Sequence, residues 1–379
     1  MKPEKINPIR ATLPYDFLIN LVYKSRGLIF HSIEEHFSDE RDTFASPYPS
    51  ALIANHVSEA DISALSAVYR RLSPRVKVII PAREDILRND FLQKEFRTKG
   101  IIKLLLTAID KSHIIPFLLN YIGAHPIKRP FRDNARDLMK KGELRETVEA
   151  EWSFLVSKIK DGRNLFMFPE GTYNHDGYLN QIRKGAYYLK SKIGNLQFNS
   201  FTFTYDSIST DKSTLHISYG NPFSLEEGMD ADTVTQLVEE KLGSGYVLTM
   251  GNLLSYVLFK LESQVKTSTE KLNLVLNDFN DHITKEYPGL KKGSSLRKNF
   301  SLQGLDPIFK KLIREKYIDI KEDSIVLLDK LTIIPKSIHN LKKNNTILYH
   351  KNQLNWHLNK LDSIWTGLEA KLISTDLTS

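Results

Sequence analysis

The chain has 379 residues, enough for one large domain or two ordinary ones. Hydrophobic residues make up 41% and charged residues 26%, as in soluble globular proteins, and the absence of cysteine excludes disulfides, thiolate catalysis and cysteine-ligated metals. The formal net charge of +8 favours anionic partners such as phosphorylated metabolites, anionic lipid or nucleic acid, although ordinary solubilising charge would give the same value.

The N-terminal part of the chain is predicted to be a helical extension. The opening MKPEKINPIRATLPYDF lacks the continuous apolar core of a signal peptide, so a cytoplasmic location is expected. Residues 14–36 carry apolar side chains at helical spacing, which indicates an amphipathic helix or a helix pair. The turn-rich stretch DERDTFASPYPS then predicts a boundary, so the extension covers residues 1–46.

The next part of the chain alternates between strand and helix patterns. Predicted strands are ALIAN, VKVIIPA, NLFMF, FNSFTFTYD and TLHISYG. Predicted helices are ISALSAVYRRL, IPFLLNYIG, RETVEAEWSFLVSKIKDG and KGAYYLKSKIG, whereas GIIKLLLTAI fits either element. Short strands alternating with helices predict an α/β domain over residues 47–230.

The remainder, residues 231–379, is predicted to be mainly helical. Its helical patterns are DTVTQLVEEKL, NLLSYVLFKLESQV, TEKLNLVLNDFNDHITKEY and NQLNWHLNKLDSIWTGLEAKL, with one short strand, SIVLLD. The most apolar stretch, GYVLTMGNLLSYVLF, is shorter than the roughly 18 residues that a membrane-spanning helix needs. Thr249, Asn252 and Ser255 interrupt it, so it is predicted to be a buried helix.

The segment ANHVSEAD, residues 54–61, joins the first predicted strand to the first helix and has two interpretations. In the first, Ser58 and Asp61 form a capping box, which leaves His56 as an ordinary loop histidine. In the second, Asp61 reaches one imidazole nitrogen of His56, fixes its tautomer and leaves the other nitrogen as a base. The segment alone does not decide between them.

Two further segments join the NHVSEAD segment to form a known pattern. They are GAHPIKR, Gly123–Arg129, and FPEGT, Phe168–Thr172, at the end of the predicted strand NLFMF. The three resemble, in order, the NHxxxxD, GxxxxxR and FPEGT motifs of the glycerolipid acyltransferases, typified by lysophosphatidate and glycerol-3-phosphate acyltransferases. The stretches IPFLLNYIGAHPIKR and RKGAYYL are also similar to that family. The resemblance covers about residues 47–224 and implies a glycerolipid-acyltransferase-like α/β fold, a mixed sheet flanked by helices, to which the mainly helical C-terminal region predicted above is added.

The sequence departs from the family pattern in two places. Lys128 stands where an acid usually precedes the arginine, and His125 and Pro126 replace apolar residues. The apolar strand of the fourth family motif usually contains proline, and QFNSFTFTYDS has none. These departures affect the expected shape of the substrate pocket and leave the expected base in place.

The resemblance implies an acyltransferase of phospholipid biosynthesis. It would move a fatty acyl group from acyl-CoA or acyl carrier protein to the hydroxyl of glycerol 3-phosphate or a lysolipid such as lysophosphatidate. His56 is the expected general base and Asp61 its orienting acid. Arg129 is expected to bind the acceptor phosphate, since a guanidinium grips two phosphate oxygens, and Arg183 or Lys184 to add positive charge.

The FPEGT motif is expected to contact substrate as well. Glu170 would accept a hydrogen bond from an acceptor hydroxyl, or hold Arg129 in place. Gly171 would let the backbone approach the substrate and use its N–H to stabilise the developing oxyanion, with Thr172 beside it. No cofactor beyond the thioester co-substrate is expected.

No metal site is expected, since His56, His125 and His175 lack the spacing of metal ligands. A non-catalytic lipid- or anion-binding protein on the same fold is the alternative function. A nucleic-acid binder is disfavoured, because the chain has no zinc, helix-turn-helix or aromatic-basic signature.

Positive charge is concentrated between residues 291 and 316. Eight cations less two acids give this segment a net charge of +6, with apolar residues interspersed. It is predicted to make peripheral contact with an anionic membrane, and a solvated basic linker is the alternative.

Overall fold

The computed structural model describes residues 7–38, 44–45, 48–58, 60–83, 100–127, 144–261, 267–322, 324–333, 335 and 341–376. The helices are α1 (Leu13–Lys24), α2 (Arg26–Ile29), α3 (Asp61–Arg71), α4 (Gly100–Lys111), α5 (Ile114–Tyr121), α6 (Leu144–Lys160), α7 (Gly185–Lys192), α8 (Ala231–Gly243), α9 (Met250–Lys260), α10 (Thr269–Glu286), α11 (Leu302–Arg314), α12 (Asp329–Thr332), α13 (Leu341–Asn344), α14 (Thr346–Asn352) and α15 (Leu358–Asp376). The strands are β1 (Ser32–His36), β2 (Phe44–Ala45), β3 (Ser50–Ala54), β4 (Leu72–Ser73), β5 (Val78–Arg83), β6 (Ala124–Ile127), β7 (Asn164–Met167), β8 (Gln197–Asp206), β9 (Thr214–Tyr219), β10 (Phe223–Ser224), β11 (Thr267–Ser268), β12 (Ile318–Lys321) and β13 (Ser324–Leu327).

A mixed eight-stranded sheet forms the centre of the fold. Its order is β1-β9-β8-β3-β7-β5-β6, with β10 paired to β8 outside this path. All neighbours are parallel except the pairs β8–β9 and β8–β10, which are antiparallel. The predicted α/β class, a mixed sheet flanked by helices, is confirmed.

Strands β3 and β7 are buried along their whole length because helices cover both faces of the sheet. On one face, α1 and α3 pack against β8 and β9. On the other face, α6, α7 and α8 pack against β3 and β7. The ends of these central strands are therefore held rigidly between two helical layers.

The sequence predicted a helical N-terminal extension, but the described part of this extension also contains a strand. The helical pattern ends at α2, and residues 32–36 form β1, which pairs in parallel with β9. Local apolar spacing predicted a helix here. The five residues of β1 pair instead with residues of β9 that come about 180 positions later in the sequence. Pairing at such a distance leaves no local signal, so tertiary context decides the element.

The C-terminal region is mainly helical, as predicted, and also contains a small antiparallel sheet of order β11-β13-β12. The strand predicted at SIVLLD is β13, whereas β11 and β12 were not predicted. Helix α9 is buried from Met250 to Leu258, which confirms the predicted buried helix. Within the ranges given above, none of the helices combines the length and apolar character needed to cross a bilayer.

Candidate active site

The position of His56 is fixed by the residue before it. Strand β3 ends at Ala54, and the side chain of Asn55 continues the pairing with β8. Its Oδ1 accepts the backbone N–H of Phe203 at 2.7 Å, and its Nδ2 donates to the carbonyl of Phe203 at 2.9 Å. Nδ2 also donates to the Tyr246 hydroxyl at 3.3 Å. The Asn55 side chain thus bonds to β8 as the backbone of a further strand residue would, and the chain leaves the sheet at this residue.

His56 and Asp61 are in contact. The Nδ1 atom of His56 lies 2.7 Å from Oδ2 of Asp61. The imidazole stacks on Phe168, with ring centroids 4.1 Å apart, and meets the edge of Tyr173. Asp61 is fully buried, whereas His56 is partly exposed. The imidazole therefore contacts Asp61, Phe168 and Tyr173 and remains partly exposed to solvent.

The carboxylate of Asp61 accepts hydrogen bonds from three groups besides the imidazole of His56. Its Oδ2 accepts the N–H groups of Val57 at 2.7 Å and Ser58 at 3.0 Å, and its Oδ1 accepts the hydroxyl of Tyr205 at 2.5 Å. Ser58 Oγ accepts from Ala60 N–H, so only the acidic half of the predicted capping box forms. Because the carboxylate is held so firmly at the start of α3, it can fix both the loop and the tautomer of His56.

With Nδ1–H donating to Asp61, the Nε2 atom of His56 carries the lone pair. None of the described residues forms a hydrogen bond to Nε2. This nitrogen is therefore a basic atom at the open end of the ring.

The side chain of Glu170 is buried behind the candidate active site and does not line its surface. Its Oε1 accepts the N–H of His56 at 2.6 Å, and its Oε2 accepts the N–H of Asn180 at 2.8 Å. Burial raises the pKa of the Glu170 carboxyl to about 8, against the two N–H donors, which favour the charged form. The side chain is buried and both oxygens accept backbone N–H groups; the predicted contact with an acceptor hydroxyl or with Arg129 stays a prediction. Glu170 is a positioning residue that ties the FPEGT loop to the His56 loop.

The N–H of Gly171 is also occupied, since it donates to the carbonyl of Phe168 at 3.0 Å within a turn. The predicted oxyanion role of this N–H is therefore not supported by its geometry. Gly171 has φ +73°, and a Cβ there would lie 2.8 Å from Nε of Arg183, so glycine is required. Thr172 is half-buried, and its carbonyl accepts from the side chain of Asn180 at 3.3 Å.

The structure separates the two cations at the start of α7. The Nε of Arg183 donates to the carbonyl of Glu170 at 3.0 Å, so this side chain stays beside the FPEGT loop. Lys184 pairs instead with Asp232 at 3.0 Å, and both are largely exposed. The predicted role of Lys184 in substrate binding is therefore weakened, because its ammonium points toward the C-terminal region.

The second motif is described only in part. Gly123 precedes β6 with φ +102°, and a Cβ there would lie 2.0 Å from the carbonyl oxygen of Val78, so this position requires glycine. Arg129 lies outside the described residues, and its contact with a phosphate stays a prediction. His125 stacks on Phe154 with centroids 3.9 Å apart, as a structural residue would.

Several residues that support the site come from distant parts of the chain and were missed from the sequence. Tyr205 holds Asp61 from strand β8, and Tyr246 reaches Asn55 from the segment between α8 and α9. Tyr349 of α14 donates to Oδ1 of Asn174 at 2.6 Å, and the N–H of Asn174 donates to the carbonyl of His56 at 2.9 Å. These tyrosines carry no motif, so only the tertiary fold reveals them.

One group among the described residues has the composition of a metal site: Glu34, His36 and His216. Their atoms already bond to protein. His36 Nε2 lies 3.2 Å from His216 Nδ1, and the Glu34 carboxylate accepts the N–H and hydroxyl of Ser294. Burial and neighbouring positive charges lower the pKa of His36 to about 4, so its imidazole is neutral. The group lies on β1 and β9 and does not contribute to the His56 site.

A protein-family model matches part of the chain. Residues 40–195 match the protein-family model described as Acyltransferase, a range that includes His56, Asp61 and the FPEGT loop. No curated protein matches the chain. The central sheet extends past this range at both ends, since β1 precedes it and β8 and β9 follow it.

Proposed function

We propose, since residues 40–195 match the acyltransferase family model, that the chain moves a fatty acyl group from a thioester to a hydroxyl of a phosphorylated glycerol or lysolipid. The observation that carries this proposal is the 2.7 Å contact between His56 and Asp61, with Nε2 facing outward. This arrangement suits the removal of a proton from a bound alcohol.

The reaction begins when Nε2 of His56 accepts the proton of the acceptor hydroxyl. The alcohol oxygen attacks the thioester carbonyl and forms a tetrahedral intermediate. The carbon–sulfur bond then breaks, and the thiolate takes the proton back from His56. Asp61 stabilises the imidazolium that exists between the two proton transfers. A base positioned in this way contributes about 10²–10⁴-fold to the rate.

An acyl-enzyme intermediate is not needed in this mechanism. A thioester is already activated and its thiolate leaves readily, so the difficult step is making the alcohol nucleophilic. The chain contains no cysteine, and the structure places no serine or threonine hydroxyl on His56 among the described residues. The substrate hydroxyl therefore takes the place that a nucleophilic side chain has in a catalytic triad.

Recognition of the phosphate is assigned to Arg129, with Arg183 as a second cation. Arg183 supports this assignment, because its Nε holds the FPEGT loop beside His56. In the sequence Arg129 follows β6, which is separated from β3 by the two strands β7 and β5. The carboxyl ends of parallel strands share one edge of a sheet, and a residue after β6 can thus face the His56 edge.

A thioester-consumption assay tests the function. The acceptors are glycerol 3-phosphate and lysophosphatidate, each paired with its phosphate-free counterpart, glycerol and monoacylglycerol, and the donors are acyl-CoA and acyl carrier protein thioesters. We expect rapid release of thiol only with phosphorylated acceptors. Faster turnover of the phosphate-free acceptors would contradict the assignment of a phosphate site. Tight acceptor binding without thiol release would favour the non-catalytic binding protein.

A lysolipid acceptor would place the protein at a membrane surface, and we propose peripheral association. The acceptor would be a membrane lipid, and the net charge of +8 favours anionic surfaces.

A further inference from the structure

Part of the basic segment that the sequence offers for membrane contact is bonded within the protein, although five of its eight cations are exposed. The ammonium of Lys291 donates to Ser218 Oγ at 2.8 Å and to the Tyr219 carbonyl at 3.0 Å. Lys311 donates to the carbonyls of Ser207 and Thr210. Lys292, Lys310 and Arg314 also have protein partners. Lys291, Lys311 and Arg314 thus join the C-terminal region to β9 and the β8–β9 loop, whereas Lys292 and Lys310 have their partners inside the C-terminal region.

Exposed apolar side chains gather instead on the N-terminal helices. Helix α1 buries Tyr15, Leu18 and Ile19 against the domain. Its other side presents Leu13 and Phe17, which are 86% and 70% exposed, and Leu21 one turn further. A spacing of four residues puts these three side chains on one outward stripe. A helix that is apolar on its solvent side as well as its core side indicates an interaction surface.

A second stripe lies on α5, beside the start of α1. Ile114, Phe117 and Tyr121 point outward at spacings of three and four residues, and Phe117 is 69% exposed. The Tyr121 ring contacts that of Tyr15, with centroids 5.9 Å apart, and thereby joins α5 to α1. Thr12 Oγ1, just before α1, also lies 3.4 Å from the Tyr121 hydroxyl, so the two stripes belong to neighbouring helices.

The surface continues to the edge of the sheet that carries the candidate active site. Helix α2 follows α1 directly and presents Leu28, which is 80% exposed. The next buried residue, Phe30, packs on Tyr205 with ring centroids 5.8 Å apart. Tyr205 in turn donates to Asp61. A lipid held on α2 would therefore be close to the residues that orient His56.

The charges around this surface suit an anionic bilayer. Lys24 lies on the outward side of α1, and Lys77 lies 5.6 Å from the centroid of the Tyr121 ring. Helices α1, α2 and α5 contain one acid, Asp16, which is paired with Arg75. Apolar residues flanked by cations are typical of helices that lie in the headgroup region of a membrane.

We propose that the outward side of α1, α2 and α5, formed by Leu13, Phe17, Leu21, Leu28, Ile114 and Phe117 and called the apolar face below, docks on an anionic lipid bilayer. The choice of a bilayer as partner rests on the proposed function, in which the acceptor is a membrane lipid. The apolar face enters the interface, its bordering cations contact the headgroups, and α2 brings the bilayer to the His56 edge of the sheet.

Vesicle sedimentation of the full chain tests this proposal, with phosphatidylcholine vesicles compared with vesicles that also contain phosphatidylglycerol. The double variant Phe17→Gln/Phe117→Gln should lower the partition coefficient on the mixed vesicles by about 100-fold, roughly tenfold for each lost aromatic ring. The matched control is Leu274→Gln on α10, since Leu274 is 68% exposed in the C-terminal region and should have no effect on vesicle binding. Lys24→Glu should reduce the preference for anionic vesicles.

Three outcomes would overturn the proposal. The first is vesicle binding by the double variant that equals wild type, and the second is loss of binding in Lys298→Ala or Lys316→Ala instead, which would return the contact to the basic segment. The third is a wild-type dimer in sedimentation equilibrium that the double variant dissociates, with no vesicle binding by either protein. Thiol release with soluble glycerol 3-phosphate and a short-chain donor is measured separately, and its absence would contradict the acyl transfer and leave the vesicle result standing.

Discussion

At the scale of single residues, the site depends on two carboxylates that accept hydrogen bonds from backbone N–H groups. Asp61 binds the imidazole of His56 and also two N–H groups of its own loop. Glu170 uses both oxygens to join that loop to the loop after β7. The spacing NHxxxxD predicted the first arrangement, because His56 and Asp61 are separated by a single short loop. It could not predict the second, since the partners of Glu170 are backbone N–H groups that carry no sequence signature.

The buried Glu170 should make stability fall as the pH rises. Its pKa is raised from an ordinary value of 4.5 to about 8, so the folded protein holds a proton that the unfolded chain releases between these values. The stabilisation from the neutral carboxyl is complete below about pH 4.5 and is lost as the pH rises through about 8. Urea unfolding at pH 5, 6.5 and 8 should show a steeper decline of unfolding free energy in wild type than in Glu170→Gln. Parallel declines in the two proteins would show that Glu170 is already charged in the fold.

Arg129→Ala should separate acceptor recognition from chemistry. A charge-assisted contact is worth roughly 1.5–3 kcal/mol, which corresponds to a rise of about 10–150-fold in the KM for the acceptor. The KM for the thioester and the turnover at saturating acceptor should change little, and Arg129→Lys should restore part of the affinity. Steady-state kinetics with each substrate varied in turn give the answer. A rise only in the donor KM would reverse the placement of the two substrates.

At the scale of elements, the sequence predicted those that have a strong local period. Strand β3, helix α3 and the buried helix α9 form where their patterns place them. Strand β1 was predicted as helix because its stability comes from pairing with β9, far along the chain. The contact of the basic segment with an anionic membrane stays a prediction, and charge composition does not show which of its cations find carbonyl partners. Helix α11 shows this best, since Lys311 bonds to backbone carbonyls whereas Lys310 forms an exposed ion pair.

Helix α11 offers neighbouring lysines for a direct comparison. Lys311 donates to the carbonyls of Ser207 and Thr210, whereas Lys310 pairs with Asp306 at the surface. Lys311→Met should lower the unfolding free energy by about 1.5–3 kcal/mol, because it removes charged hydrogen bonds that hold α11 to the β8–β9 loop. Lys310→Met should cost at most about 0.5 kcal/mol, as exposed helix pairs do. Equal losses in urea unfolding would show that the Lys311 contacts add no stability.

At the scale of the whole molecule, the C-terminal region completes the site. Tyr246 and Tyr349 reach the His56 loop, and Leu341, Leu348 and Tyr349 share a buried cluster with the domain. The division at residue 230 that the sequence predicted is therefore not a division between independent cores. Composition shifts at that point because the sheet ends there, and composition does not reveal packing between the two parts.

The shared core predicts a single cooperative unfolding transition. Trp152 lies in the sheet domain, and Trp356 and Trp365 lie in the C-terminal region. In a Trp152→Phe variant the fluorescence reports the C-terminal region alone, and in a Trp356→Phe/Trp365→Phe variant it reports the domain alone. Urea midpoints from each fluorescence signal should coincide with the midpoint from circular dichroism of the same variant. Separate midpoints would show that the two parts unfold independently.

The central claim is that Nε2 of His56 takes the proton of the acceptor hydroxyl. The most direct measurement is kcat for thioester consumption by His56→Ala at saturating donor and acceptor, with His175→Ala as the matched control near the same loop. A loss of about 10²–10⁴-fold is predicted for His56→Ala, with circular dichroism unchanged and His175→Ala within a few-fold of wild type. Turnover near the wild-type rate in a folded His56→Ala protein would contradict the mechanism.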